Sequence, residues 1–412
     1  MPNDSSDGLI FDDRPHNSRP GLHALLIGVS GYPYLSGGPR NRGPAYGLGQ
    51  LSAPARTVKD IAGWLIARKD KLTAPLKTCR LLASPSSLER HADQPITGVP
   101  PLAEVAPATL DTVLSAAAAW RTDASVHPQD VTLFYFAGHG IQRSRGDSVL
   151  LLEDFLGGRT LLDRAINVNN IYNGMANFLA YPNTARTQFF FVDACRADIR
   201  QLREFVTPET TAVFDVELGG VDDRVAPIFF AAAAGHETYG IRGEQTLFGR
   251  DFLNCLNGKA GDRVLIGDQK QWVVNIGTLA RSLNYLTEHD NQKHGIPYRS
   301  FNIDKYTTLN TAIHYLDQAP LVECEFFIEP DVASRIARIR CLDARQKSAH
   351  RFRFPVKPNP YTFEIPAGGY TIEAGVAKRR PKGLPSYSEP DPDIITVTPP
   401  TFHYALRYRE RS

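Results

Sequence analysis

At 412 residues the chain is too long for one ordinary domain, which points to two or three. Lys+Arg 46 against Asp+Glu 44 leave a formal net charge of +2, which excludes a global positive field for nucleic acid or an anionic membrane. Cys79, Cys195, Cys255, Cys324 and Cys341 are scattered, odd in number and without a CxxC pair, so at least one is unpaired and no zinc or redox motif is indicated.

The N-terminus, MPNDSSDGLIFDDRPHNSRPG, lacks the apolar core of a secretory signal, and no apolar run reaches the length of a membrane span. A cytoplasmic protein is the expectation. Residues 1–20 are polar and contain Pro, and read as a flexible arm. Residues 23–29 form a continuous apolar strand of the kind found in sheets covered on both faces. A Gly/Pro-rich loop spans 31–49. From Ser52, the spacing of Val58, Ala62 and Leu65 has helical period, and Ser52 and Pro54 suit a helix start.

Further along, strands are expected at 79–83, 131–137, 148–153, 187–193 and 228–233. Helices are expected at 109–121, 168–179 and 247–256, and through Ile276, Leu279, Leu283 and Leu286. Apolar strands alternating with amphipathic helices define an α/β domain over 21–318, a mainly parallel sheet with helices on both faces. Near Pro320 the pattern changes to strict alternation, as in Val322, Cys324, Phe326 and Ile328. More short strands follow, at 361–365, 370–374, 394–398 and 402–408, so a small β-sandwich is expected over 319–412.

Two stretches carry candidate chemistry. "TLFYFAGHG" ends an apolar strand on His139 between two glycines, and "FFFVDACRA" ends the next major one on Cys195. In parallel sheets chemistry collects at the carboxyl ends of strands. If these two strands are neighbours, an imidazole and a thiol emerge at one rim, where the imidazole can deprotonate the thiol and later protonate a leaving amine. Gly138 and Gly140 permit a sharp turn, and the Gly140 and Cys195 amides are candidate oxyanion donors. Singly, such a His reads as a turn residue and such a Cys as a small hydrophobe. It is their pairing, with His139 56 residues before Cys195, that points to catalysis.

On these motifs the chain resembles the caspase-like clan of cysteine peptidases, which includes caspases, paracaspases, metacaspases and bacterial relatives. "FYFAGHG" is similar to the clan's strand ending in Ser/Ala-Gly-His-Gly, and "FFFVDACRA" to its strand ending in Asp/Gln-x-Cys-Arg/His-Gly. "HALLIGVSGY", "LSAPARTVKDIAGWL" and "PIFFAAAAGHETYG" fall in the clan's order, so the resemblance covers about residues 22–300. It implies a caspase-like α/β fold and an endopeptidase working without cofactor through a thioacyl-enzyme. Cys195 would be the nucleophile, His139 the general base and acid, and the Gly140 and Cys195 amides the oxyanion hole.

The residue two before the cysteine lies in the family's S1 pocket. Here it is Asp193, as in the paracaspases and metacaspases that take Arg or Lys at P1, and a carboxylate there suits a cation and repels an aspartate. Alternatively, Asp193 simply caps its turn. The helix position where paracaspases carry an acid is Thr57, with Asp60 the nearest acidic residue, and Glu237 stands near the Ala-Tyr-Glu position; Asp60 and Glu237 complete the S1 candidates. The Gly that usually follows Cys-Arg is Ala197.

Arg196, Arg200, Arg203 and Arg224 lie in the region cut during caspase activation, so self-cleavage is one expected trigger; surface charge explains them equally. An upstream protease, a regulatory protein or calcium are the others, calcium without a clustered acidic loop. The expected partner is a protein or peptide substrate, with no nucleic acid, membrane, metal or cofactor. Relatives suggest defence or regulated cell death.

Other chemistries fit less well. Gly28-Val-Ser30-Gly31 falls one residue short of a serine-hydrolase elbow and lacks the Lys-Ser/Thr of a P-loop. Zinc on His139, Cys195 and His236 has no local ligand pair. The rival of another class is a catalytically silent scaffold that binds partners through its β-sandwich.

Overall fold

The computed structural model describes residues 7–16, 18–144, 147–195, 209–216, 222–232, 243–295, 301–305, 310–378 and 383–411. The chain divides into two compact units, Met1–Leu253 with Leu286–Leu309, and Asn254–Tyr285 with Asn310–Ser412.

In chain order the elements begin with β1 (Leu9–Asp12), β2 (Leu22–Val29), α1 (Pro54–Ala67), β3 (Leu76–Ser84), α2 (Ser87–His91), α3 (Leu110–Asp123) and β4 (Val131–Gly138). Next come β5 (Gly140–Ser144), β6 (Asp147–Leu151), β7 (Ala165–Asn167), α4 (Val168–Gly174), β8 (Thr187–Ala194), β9 (Ile228–Phe230) and α5 (Leu247–Asn254). Then follow β10 (Asp262–Ile266), β11 (Gln269–Asn275), α6 (Ile276–His294), β12 (Asn302–Asp304) and β13 (Ala312–Leu316). The last seven are β14 (Leu321–Glu329), β15 (Ala337–Leu342), β16 (Ser348–Arg351), β17 (Tyr361–Pro366), β18 (Gly368–Val376), β19 (Asp393–Val397) and β20 (Thr401–Arg407).

Seven strands of the first unit form one sheet in the order β1-β3-β2-β4-β8-β9-β12. The five from β3 to β9 are parallel, and β1 and β12 close the edges antiparallel. Every residue of β2, β3 and β4 is buried, which is why β2 and β4 read as apolar runs rather than alternations.

Helices cover both faces, as the sequence predicts. On one face Leu110, Val113, Ala117 and Trp120 of α3 share a core with Leu25, Ile27, Phe134, Phe136 and Phe190. On the other, Tyr135 and Phe191 meet Phe252 of α5, with ring centroids 5.7 and 4.4 Å apart. Gly28 of β2 admits α1 to that face, because a Cβ there would lie 2.5 Å from Val58 and 2.7 Å from the Pro54 carbonyl. The chain passes from β2 to β3 on one side and returns to β4 on the other. The strand order therefore reverses between β2 and β4, the place where sheets of this kind carry their sites at the carboxyl rim.

The N-terminal segment departs from expectation. Within residues 1–20, read as a flexible arm, β1 pairs with β3 and covers its edge. Ion pairs secure it: Arg80, buried in β3, meets Asp7 at 3.2 Å and Asp123 at 2.6 Å, and Arg14 pairs with Asp12 at 2.7 Å and with Asp123. Composition conceals this, because the charges that look solvated in sequence are each other's partners.

In the second unit, β17-β14-β20 and β16-β15-β18-β19 form two sheets around one core. Val322, Cys324, Phe326 and Ile328 of β14 point inward, every second residue, as their alternation requires. A further sheet, β10-β11-β13, belongs to this unit. β10, β11 and β13 fall within the 21–318 expected for the α/β domain but group with the second unit; β11 pairs with β13 some forty residues on, and Trp272 packs against the second core. That pairing is non-local and leaves no periodic trace.

Candidate active site

β4 and β8 are adjacent and parallel, in register from Val131 opposite Thr187 to Gly138 opposite Ala194. His139 and Cys195 are each the residue after that last pair, so the two strands deliver them side by side at the carboxyl rim of the sheet. The strands stop pairing there because the chain turns through Gly138 and Gly140. A Cβ on Gly138 would come within 2.8 Å of the Tyr32 hydroxyl, and one on Gly140 within 2.5 Å of the Cys195 carbonyl and 2.9 Å of the Ala194 Cβ. The glycines thus allow the His-bearing turn to lie against the end of β8.

His139 is only 8% exposed. Its Nε2 lies 2.8 Å from the Gly49 carbonyl. A carbonyl only accepts, so Nε2 carries the hydrogen and Nδ1 of the neutral ring is the basic nitrogen. Burial holds the imidazole below its ordinary pKa, with the Gly49 bond opposing in part. The His139 amide donates to the Tyr32 hydroxyl at 2.8 Å, and that hydroxyl donates to the Leu151 carbonyl at 3.2 Å. The two rings pack with centroids 4.8 Å apart. Gln50 closes the neck of the loop carrying Tyr32 and Gly49, accepting from the Tyr32 amide and donating to its carbonyl, both at 2.8 Å.

None of the five cysteines is in a disulfide, and Cys195 alone among them is partly exposed. Leu151 donates to the His139 carbonyl at 3.0 Å, and Gly140 stands opposite Leu150 at the start of the β5–β6 ladder.

Asp193 is 2% exposed and two residues before Cys195. Its Oδ2 accepts from the Tyr135 hydroxyl at 3.0 Å and from the Thr246 hydroxyl. Thr246 also caps α5, accepting from the Gly249 amide at 3.1 Å. Thr57, which stands where relatives carry an acid, accepts from the Thr246 amide at 2.9 Å. Asp60 lies one helical turn further along α1, where it accepts from Gln245 Nε2 at 2.6 Å. Burial raises its pKa, the Gln245 bond and Arg56 opposing. The bonds on Asp193 described here run to other elements rather than to its own turn. Glu237 and His236 lie outside the described residues, as do Arg196, Arg200 and Arg203.

Arg224 corrects an expectation. Its guanidinium side chain is 1% exposed and donates to the Tyr172 carbonyl at 2.9 Å and Gln188 Oε1 at 3.0 Å, with Asp222 alongside at 2.7 Å. A basic residue so enclosed is neither surface charge nor presented for cleavage. Tyr32, the Gly49 carbonyl, Tyr135 and Thr246 are the site residues that sequence reasoning passes over. The one available signal was Tyr135, a hydroxyl inside the apolar "LFYF", which when buried requires a partner. Among the described residues no three His, Cys, Asp or Glu side chains gather into a metal site. No described helix is long and apolar enough to cross a membrane.

A doubly wound sheet with a thiol and an imidazole at its carboxyl rim has the layout of a cysteine-dependent hydrolase. Residues 102–298 match the family model described as the caspase domain, so this part of the chain is similar to the caspase-like cysteine peptidases. No curated protein matches the chain. Similar solved structures include caspase-1 from Spodoptera frugiperda, 11% identical with a TM-score of 0.38 over 72% of this chain and 90% of that one. Another is a protein from Geobacter sulfurreducens, 14% identical with a TM-score of 0.39 over 71% of this chain and 95% of that one.

Proposed function

We propose that the protein is an endopeptidase that cleaves after Arg or Lys through Cys195 and His139. The observation that carries this reading is the β4–β8 register, with Gly138 opposite Ala194 and the candidate base and nucleophile one residue beyond. In the proposed cycle His139 Nδ1 takes the Cys195 Sγ proton as the sulfur attacks the scissile carbonyl carbon. The Gly140 and Cys195 amides hold the resulting oxyanion. His139 then gives its proton to the leaving amine, and the C–N bond breaks to leave a thioester. Water attacks that thioester with His139 again as base, and the proton returns to the departing sulfur.

Asp193 is the proposed cation partner for P1, with Asp60 and Glu237 as further S1 residues. A carboxylate favours a cationic side chain and disfavours an aspartate. Activation by self-cleavage is proposed for the segment holding Arg196, Arg200 and Arg203, or else by a partner protein; the burial of Arg224 speaks against cleavage there.

The test is hydrolysis of fluorogenic peptides with Arg, Lys or Asp at P1, by wild type and Cys195→Ala. Wild-type cleavage after Arg and Lys, lost in the variant, is the expected result. Cleavage surviving in Cys195→Ala would sink the nucleophile assignment, and a preference for Asp would sink the role of Asp193. Silence of both proteins, with or without prior limited proteolysis, would favour a binding scaffold.

A further inference from the structure

The pairing of β4 with β8 ends at Gly138 and Ala194, so the His139 amide lies just beyond the main sheet. His139 stands one step before the Gly140–Leu150 pair, opposite Leu151, whose amide donates to its carbonyl at 3.0 Å. Two opposite residues bonded in this way ordinarily exchange a second direct bond. Here the return path runs through a side chain: the His139 amide donates to the Tyr32 hydroxyl at 2.8 Å, and that hydroxyl donates to the Leu151 carbonyl at 3.2 Å. A phenol oxygen is the spacer between the backbone of His139 and the end of β6.

The spacer is held from several sides. Tyr32 is 0% exposed, and its ring packs on the imidazole with centroids 4.8 Å apart. Burial raises the phenol well above its ordinary pKa, the His139 amide opposing and charge on Cys195 adding to the rise, so the hydroxyl keeps its hydrogen for Leu151. Gly138 leaves it room, since a Cβ there would lie 2.8 Å from the hydroxyl oxygen. At the backbone of Tyr32, Gln50 accepts from the amide and donates to the carbonyl, both at 2.8 Å. The same loop also presents the Gly49 carbonyl to His139 Nε2, so it grips both the backbone and the ring of the histidine.

We propose that Tyr32 is a positioning residue of the dyad: its hydroxyl, interposed between the His139 amide and the Leu151 carbonyl, sets where the imidazole stands relative to Cys195. This rests on the reading of His139 as base and Cys195 as nucleophile. Without the hydroxyl, two buried backbone groups lose their partner, and they recover one only by closing directly on each other. That closure draws the His139 backbone toward β6, and proton transfer tolerates little such displacement.

Alkylation of Cys195 by iodoacetamide, timed at pH 7 and pH 9.5 by peptide mass mapping, reads the dyad without turnover. At pH 7 the thiol depends on its base, and His139→Ala is expected to react at least about tenfold more slowly than wild type. Tyr32→Phe should lose at least half of that advantage on a logarithmic scale. At about pH 9.5 a thiol ionises without help, so the rates of all three proteins should converge. In peptide hydrolysis Tyr32→Phe should lower kcat about thirtyfold or more and leave KM within about threefold. Gln50 is exposed, so Gln50→Ala spares the core while freeing the Tyr32 backbone. It should shift the pH 7 rate in the same direction by less, and it decides the matter if Tyr32→Phe does not fold.

A folded Tyr32→Phe that is alkylated at the wild-type rate at pH 7 would overturn the proposal. So would a variant slowed equally at both pH values, because general loosening does not distinguish assisted from unassisted ionisation. Failure of the underlying reading looks different: His139→Ala would then react as fast as wild type at pH 7.

Discussion

Burial separates the five thiols chemically. It pushes the Cys79 and Cys324 thiols up to about 12 and that of Cys341 up to about 11, and Cys255 is equally enclosed, at 0% exposure. Cys195 is partly exposed beside an imidazole. Iodoacetamide on the native protein at neutral pH should therefore label Cys195 and leave the other four unmodified, as read by peptide mass mapping. A second cysteine labelled at a similar rate would contradict the burial pattern. His139 supplies the pH dependence. Its pKa lies below the ordinary imidazole value of 6.5, so the unfolded chain binds this proton more readily than the folded one. Its contribution to stability is thus complete above about pH 6.5 and is lost as pH falls through the window below. The acid limb of a kcat/KM profile should likewise fall below about pH 6.5; a limb at 7 or above would mean that the resting ring is protonated. His139 and Cys195 were legible as residues, since each ends an apolar strand. The Gly49 carbonyl was not, because a backbone acceptor has no side-chain signature and reaches His139 only through the folded loop.

Among the elements, the turn between β4 and β5 is the one whose shape matters most. The sequence suggests that Gly140 serves a sharp turn, and the fold adds a stricter reason: β8 lies against it, with the Cys195 carbonyl in the space a side chain would fill. Gly140→Ala should push β5 away from the end of β8, destabilising the protein by about 1–3 kcal/mol. The displacement should lower kcat about a hundredfold, with a smaller change in KM. Chemical denaturation and steady-state kinetics would measure both, and a fully active Gly140→Ala would remove the packing argument. The strands themselves were legible where they are apolar throughout. β3 runs from Leu76 to Ser84, beyond the 79–83 expected, and its Lys77 and Arg80 are both buried. Lys77 donates to the Arg19 carbonyl at 2.9 Å, and Arg80 lies between carboxylates.

At the scale of the molecule, the N-terminal strand is the least expected contributor. Removing residues 1–20 would take Asp7 from Arg80 and Arg14 from Asp123 and would bare the edge of β3. Loss of partners around a buried guanidinium costs about 3–5 kcal/mol, and a bare edge invites pairing between copies. The truncated protein is expected to melt at lower temperature and to self-associate, which calorimetry and sedimentation would detect. A monomer of unchanged melting temperature would show that β1 is dispensable.

Local chemistry was decided by the sequence alone: apolar runs against alternation, the glycines around His139, and the acid two before Cys195. These signals lie within a few residues of one another, where periodicity and turn preference act. Adjacency was decided by the tertiary structure. Which strand lies beside which puts His139 next to Cys195, brings Tyr32 and Gly49 from the loop after β2, and sets hydroxyls of β4 and of the cap of α5 on Asp193. Those partners are separated by 53 to 107 positions along the chain, and only the packing of a covered sheet chooses among them.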